Sequence, residues 1–112
     1  MEREAVIKLK KALDDKFALD ITILGIGQIS TMADYFVIAT AANTPQMSAL
    51  TETAEEVLTK CGFHLSHIEG MSSAKWVLLD FGSIIVHLFD KESREFYNLE
   101  RVWRDADKNL VK

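Results

Sequence analysis

The sequence has little of the two residues that most often cross-link or interrupt a fold, with one cysteine (Cys61) and one proline (Pro45) among 112 residues. A single cysteine cannot form a disulfide within the chain, so a reducing compartment such as the cytosol is indicated. Linkers, internal repeats and low-complexity segments are also missing. A chain of this length is expected to form one domain over residues 1–112, with a frayed tail at 105–112.

Positive charge is scarce as well, with 13 Lys and Arg residues against 17 Asp and Glu and a formal net charge of −4. Nucleic-acid binding depends on Lys and Arg side chains that displace counterions, so sequence-specific nucleic-acid binding is not predicted. No apolar run approaches the ~20 residues that a membrane-spanning helix needs. The start of the chain, Met1-Glu2-Arg3-Glu4, does not have the pattern of a signal or transit peptide, and a cytoplasmic protein is expected.

What the sequence does contain is a regular succession of helix and strand patterns. The uninterrupted apolar run 35–41 predicts a strand covered on both faces, and Pro45 and Gly62 mark the first turn and the end of a helix. The predicted elements are helix 2–16, strand 19–24, strand 35–41, a helix capped by Asn43 or Thr44, a weak strand at 63–69, a hairpin at 76–90, and helix 91–104 capped by Asp90. This α-β-β-α-β-β-β-α order predicts an α/β (α+β) domain with helices packed on a mixed five-stranded sheet.

The hairpin segment from Trp76 to Asp90 is the most informative part of the chain. Two apolar runs flank Gly82-Ser83, which is typical of a two-residue turn that pairs Phe81 with Ile84. In this register one face is entirely apolar and is predicted to enter the core: Val77, Leu79, Phe81, Ile84, Val86 and Leu88. The other face mixes aromatic and polar side chains and is predicted to be a partly exposed binding surface: Trp76, Leu78, Asp80, Ile85, His87 and Phe89.

Patterns typical of catalysis or metal binding are weak. Asp34, Asp80 and Asp90 do not form the carboxylate pair on one strand that a nucleotide-transferring metal site needs, and they are interpreted as turn, hairpin and cap residues. His64 and His67 are three residues apart on a predicted strand, so their rings point to opposite faces and do not suit a shared metal. No enzyme activity, cofactor or metal site is therefore predicted.

Several segments, taken in order, resemble the Iojap family, the ribosomal silencing factors. The matching segments are Ala33-Asp34-Tyr35-Phe36-Val37-Ile38, Thr40 with Gln46, Glu69-Gly70, Trp76-Val77-Leu78-Leu79-Asp80-Phe81-Gly82, and the run from His87 through Phe89 and Arg94 to Phe96-Tyr97-Asn98-Leu99-Glu100 and Trp103. They cover nearly the whole chain, and their order and spacing make the resemblance specific. One departure is Ala41, where many members carry glycine, and an alanine removes easy access to positive φ from that loop.

The resemblance implies a fold like that of the nucleotidyltransferases without their catalytic carboxylates. It implies a translational repressor that binds the large ribosomal subunit through its basic ribosomal protein fourteen and blocks joining with the small subunit under nutrient limitation. An acidic chain suits a basic protein partner better than it suits RNA. The resemblance also implies a homodimer when the protein is free. A role in large-subunit assembly and a degenerate nucleotidyltransferase-like enzyme remain as alternatives.

On this interpretation the mixed hairpin face and the adjoining edge of the last helix meet the partner. The predicted partner-binding residues are Trp76, Asp80, His87, Phe89, Arg94 and Tyr97. The three aromatic residues are expected to anchor by burial, while the aspartate and the histidine orient through hydrogen bonds. Arg94 either joins this surface or braces Asp80 or Glu69 within the chain.

Overall fold

The computed structural model describes residues 1–103, and the predicted frayed tail at 105–112 lies outside the described residues. In chain order the elements are α1 (Glu2–Asp15), β1 (Leu19–Gly25), β2 (Tyr35–Ala41), α2 (Thr44–Lys60), β3 (His67–Glu69), β4 (Trp76–Asp80), β5 (Ile84–Asp90), α3 (Lys91–Tyr97) and α4 (Leu99–Val102). The strands form one sheet in the order β1-β2-β5-β4-β3, in which only the β2–β5 pair is parallel. The predicted mixed five-stranded sheet is thereby confirmed. None of these helices is long and apolar enough to cross a bilayer.

One face of the sheet is covered by α1 and α2, which supply aliphatic side chains to the larger core. Leu9 and Leu13 of α1 and Leu50 and Leu58 of α2 have no exposed surface. They meet the apolar face of the hairpin, where all six residues predicted to enter the core are buried. We call this cluster the first core. Its burial of apolar area is the main favourable term for folding.

The start of α2 is held by a polar cap that also contacts the end of α1. The Asn43 side chain accepts a hydrogen bond from the backbone N–H of Gln46 (2.8 Å), which confirms Asn43 as the cap. The Gln46 side chain accepts from the backbone N–H of Ala42 and donates to the carbonyl oxygens of Lys16 and Phe17. These bonds fix the angle between the two helices that cover the first core.

The opposite face of the sheet, predicted to be a partly exposed surface, is a second and smaller core. Ile85, His87 and Phe89 of the hairpin are buried, and they pack with residues of β1, β2 and the loop between them. The buried members of this second core are Leu24, Ile26, Ala33, Phe36, Ile38, Ile85 and Phe89, and Trp76, Leu78, Leu99 and Trp103 are half-buried against it. Of the six residues on the face predicted to be partly exposed, Trp76, Leu78 and Asp80 are half-buried, whereas Ile85, His87 and Phe89 are more deeply buried than predicted. The added cover comes from α3 and α4, which fold back across this face.

The last predicted helix, 91–104, is two short helices separated by a left-handed residue. Asn98 has φ +43° and ψ +61°, a conformation that asparagine tolerates better than most residues. Its side chain also accepts from the backbone N–H of Arg101 (3.3 Å) and so caps α4. Phe96 lies before this break and 79% of its surface is exposed, whereas Leu99 and Trp103 after it are half-buried.

Candidate docking site

The β4–β5 register is the one that the Gly82-Ser83 turn predicts, with Trp76 opposite Phe89 and Leu78 opposite His87. Trp76, His87 and Phe89 therefore lie side by side on the second-core face. Gly70 helps to place Trp76, because its φ is +85° and a Cβ there would lie 1.9 Å from the Trp76 carbonyl oxygen. Only glycine combines that conformation with so close an approach of backbone to backbone.

Five rings form a continuous series of contacts from the second core to the surface, which we call the aromatic ladder: His87, Phe89, Trp76, Tyr97 and Phe96. Within the core, Trp76 lies 5.0 Å from Phe89 between ring centroids, and 5.9 Å from His87. Toward the surface, Tyr97 lies 4.5 Å from Trp76, and Phe96 packs edge-to-face on Tyr97 at 5.0 Å. Such ring pairs add stability beyond the area that they bury.

Burial decreases along the ladder from one end to the other. Phe89 and His87 are buried and Trp76 is half-buried, whereas Tyr97 is 44% exposed and Phe96 is 79% exposed. We call the three accessible rings, Trp76, Tyr97 and Phe96, the docking surface. Exposed aromatic side chains that stand on a fixed base are the residues that most often dominate protein interfaces.

His87 is the buried hydrogen-bond acceptor for Trp76 within the ladder. The Trp76 indole N–H donates to Nδ1 of His87 at 3.1 Å, which requires an unprotonated Nδ1 and places the proton of the neutral ring on Nε2. Burial lowers the pKa of His87 from 6.5 to about 4, so the ring is neutral at physiological pH. The Nε2 atom is buried with no hydrogen-bond partner among the described residues, and the ring contacts Phe36 edge-on at 4.7 Å.

Asp80 and Asp90 both accept hydrogen bonds from backbone N–H groups of this chain. The Asp80 carboxylate accepts a hydrogen bond from the backbone N–H of Gly82 (2.8 Å) and so closes the hairpin turn. Asp90 accepts from the backbone N–H of Ser93 (2.7 Å), which confirms it as the cap of α3. No group of three or more His, Cys, Asp and Glu side chains in residues 1–103 is arranged to hold a metal ion.

Arg94 braces the chain internally, but not through Asp80 or Glu69 as predicted. Its guanidinium forms a two-bond fork with Glu100 of α4, with Nε to Oε1 at 3.0 Å and Nη2 to Oε2 at 3.1 Å. It also donates to the hydroxyl of Thr40 on β2 (3.0 Å) and of Thr22 on β1 (3.1 Å). One side chain thus connects α3, α4 and two strands, and only 11% of it is exposed.

The structure thus brings four of the six predicted residues, Trp76, His87, Phe89 and Tyr97, into one aromatic ladder. Sequence reasoning did not include Phe96 among the partner-binding residues. The signal that would have found it is Asn98, since an asparagine inside a short helical pattern indicates a break in phase. Among the charged residues of the same short helix, Glu92 and Glu95 are exposed, as is Lys91.

Comparison with known proteins agrees with this architecture. The chain is 37% identical over 107 residues to a ribosomal silencing factor of Bacillus subtilis, spanning 95% of this chain and 91% of that protein. A ribosomal silencing factor of Zymomonas mobilis is 41% identical over 107 residues, spanning 95% of this chain and 80% of that protein. A crystal structure of a Chromobacterium violaceum protein superposes with a TM-score of 0.85 at 28% identity, covering 90% of this chain and 84% of that one.

The similarity extends to two longer eukaryotic proteins. They are the chloroplastic protein Iojap of Arabidopsis thaliana, 32% identical over 89% of this chain, and the mouse protein named mitochondrial assembly of ribosomal large subunit protein 1, 32% identical over 92% of this chain. This chain spans 42% and 47% of their lengths. The family model described as ribosomal silencing factor during starvation matches residues 1–112. The chain therefore belongs to the family of ribosomal silencing factors.

Proposed function

We propose that this protein represses translation by docking on the large ribosomal subunit and obstructing its union with the small subunit. Membership of the ribosomal silencing family supports a ribosome-associated role. The observation that carries the docking proposal is the exposed end of the aromatic ladder, where Phe96 and Tyr97 stand on the buried ring of Phe89. The protein then acts by occupying space, and no bond is made or broken.

The partner that fits this surface best is a basic protein of the large subunit, the ribosomal protein fourteen. The net charge of −4 and the exposed Glu92 and Glu95 beside Phe96 favour a positively charged partner. The aromatic rings supply apolar contact area, while the surrounding carboxylates increase the rate of encounter with such a partner. Ribosomes of the cytoplasm are the expected location.

Of the predicted contact residues, the accessible members Trp76 and Tyr97 are assigned direct contact, together with Phe96. Phe89 and His87 hold these rings from beneath, because neither presents enough surface to touch a partner in this conformation. Asp80 is half-buried at the hairpin turn and stays in the proposal as a residue at the rim of the interface.

The test is co-sedimentation with separated large and small subunits, followed by light scattering as the subunits are mixed. We expect binding to the large subunit only, with slower and smaller joining. Phe96→Ser is expected to weaken binding by about 2 kcal/mol, close to 30-fold, as for truncation of a central interface residue. Trp76→Ala is expected to cost at least as much.

The matched control is Phe17→Ser. Phe17 is 80% exposed, close to the 79% of Phe96, but it follows α1 on the other side of the sheet. Its removal is expected to leave binding unchanged. Equal losses for the two variants, or no loss for Phe96→Ser, would place the interface elsewhere.

A second candidate function is assembly of the large subunit, supported by the name of the mouse relative. In that case the protein binds immature large subunits, and its loss leaves precursors that accumulate while joining of mature subunits is unaffected. The homodimer is also a proposal. Light scattering on the free protein tests it, and a monomer at the concentrations used for binding would refute it.

A further inference from the structure

The α3–α4 segment, which carries two of the three rings of the docking surface, is too short to hold its own position. Its helices have seven and four residues, below the length at which helices are stable without tertiary contacts. The junction between them is the left-handed Asn98, a conformation that costs energy for any residue with a side chain. Something outside the local backbone must fix this arrangement.

We infer that Arg94 is the positioning residue of the docking surface, and that it acts through Glu100 rather than by touching the partner. This inference rests on the proposed function. Arg94 precedes Asn98 in the sequence and Glu100 follows it. The two-bond ion pair between them therefore spans the kink at Asn98. The Thr22 and Thr40 hydroxyls anchor the same guanidinium to the sheet.

The geometry links this anchor directly to the exposed rings. Arg94 precedes Phe96 and Tyr97 in the same short helix, and its carbonyl oxygen accepts the backbone N–H of Asn98 (3.0 Å). If the guanidinium loses these partners, α3 loses its polar links to Glu100, Thr22 and Thr40. Tyr97 is then held by its ring contacts with Trp76 (4.5 Å) and Phe89 (6.1 Å). Only 11% of the Arg94 side chain is exposed, so little of its surface is available to a partner.

A lysine at position 94 cannot form the same two-bond contact with Glu100, because an ammonium group is a point charge without the planar fork that matches a carboxylate. Arg94→Lys therefore keeps the charge and removes the geometry. The matched control is Arg3→Lys on α1, which makes the same change at an exposed position on the opposite side of the sheet. Glu100→Gln is the second variant, since it weakens the same fork while the arginine remains.

The experiment measures large-subunit affinity for Arg94→Lys, Glu100→Gln and the double variant, at a temperature where far-ultraviolet circular dichroism shows each to be folded. We expect each single variant to lose about tenfold in affinity. The affinity of the double variant is expected to be no lower than that of the single variant that binds less tightly, because both changes open the same fork. Arg3→Lys is expected to bind as the unchanged protein does.

A spectroscopic measurement separates positioning from general destabilisation. The ring protons of Tyr97 lie close to the Trp76 ring, so their NMR shifts are displaced by its ring current. In Arg94→Lys these shifts are expected to move toward random-coil values, while the methyl shifts of Leu50 and Leu58 in the first core stay unchanged. Movement of both sets together would mean that Arg94 only supports the fold, and the inference would be wrong.

The remaining outcomes also decide the matter. Additive losses in the double variant would show that Arg94 contacts the partner itself. Undiminished affinity of folded Arg94→Lys would show that the fork is not needed for docking. If Phe96→Ser and Trp76→Ala bind normally, the proposed docking surface is wrong, a failure that is distinct from one in which those two variants lose affinity and Arg94→Lys does not.

Discussion

The two sides of the sheet are built in different ways. The first core is aliphatic and is covered by α1 and α2, helices of 14 and 17 residues. The second core contains a buried histidine and several aromatic rings, and it is covered by helices of seven and four residues. The long helices bury wide apolar faces and need few polar links to the rest of the chain. The short helices are held by the Arg94 fork and by ring contacts.

If the proposed docking surface is correct, stability and docking are assigned to different sides of the sheet. The first core supplies most of the free energy of folding and presents polar helix faces to solvent. The second side leaves Phe96 79% exposed and Tyr97 44% exposed. Changes in the first core should therefore alter the free energy of unfolding, while changes on the α3–α4 side should alter binding.

The largest effect is expected from a cavity in the first core. Leu50→Ala removes a side chain with no exposed surface and should lower the free energy of unfolding by about 2–5 kcal/mol in urea titrations. The folded fraction should bind the large subunit with unchanged affinity. Leu19→Ala, at a leucine that is 42% exposed, is the control and should cost about 0.5 kcal/mol or less. A loss of affinity in folded Leu50→Ala would break the separation of the two sides.

The second core should make stability depend on pH through His87. Its folded-state pKa is lowered to about 4, so the folded protein binds fewer protons than the unfolded chain below pH 6.5. The contribution of the neutral His87 to the free energy of unfolding is therefore fully present above pH 6.5. It is lost as the pH falls toward 4, by roughly 3 kcal/mol over that window. Urea unfolding between pH 7 and 5 measures the slope. His87→Gln, which does not titrate, should flatten it; an equal slope would assign the dependence to other groups.

A smaller effect is expected from removal of one hydrogen bond inside the ladder. Trp76→Phe keeps a ring in place but removes the donor to His87, which leaves a buried acceptor without a partner and should cost about 1–3 kcal/mol of stability. Affinity for the large subunit should change by less than about threefold if Trp76 anchors by ring burial. A loss as large as that expected for Trp76→Ala would mean that the indole N–H itself matters for docking.

The smallest effects should come from two capping asparagines, one on each side of the sheet. Asn43→Ala removes the cap of α2, and Asn98→Ala removes the cap of α4 at a left-handed position. Each should cost about 1 kcal/mol of stability in thermal unfolding. Only Asn98→Ala should also weaken binding, because only its kink places Phe96 and Tyr97. Equal binding by both variants would contradict the role given to the kink.

Most of the fold was accessible from local sequence patterns. The hairpin register follows from one two-residue turn, because a period of two leaves no freedom once the turn is set. The Asn43 cap and the Gly62 helix end follow from the chemistry of single residues, and Gly62 has the expected positive φ. The weak strand at 63–69 is reduced to His67–Glu69, since an edge segment pairs only where a neighbour lies beside it.

The candidate site was predicted less well. Trp76, His87, Phe89 and Tyr97 lie beside one another, but strand alternation relates only the first three, and Tyr97 joins them through the placement of α3. The burial of His87 and Phe89 was missed, and so were the partners of Arg94, which lie 54 and 72 residues away in sequence at Thr40 and Thr22. No periodicity carries information over such a separation.

The sequence alone thus determined the strands, the long helices and the hairpin residues of the ladder, since these depend on interactions among near neighbours in the chain. Only the tertiary structure decided which face of the hairpin is covered, where the last helix breaks and which rings remain exposed. These features depend on how α3 and α4 fold back over the sheet. That placement is governed by contacts between distant segments, such as those of Arg94 with Thr22 and Thr40.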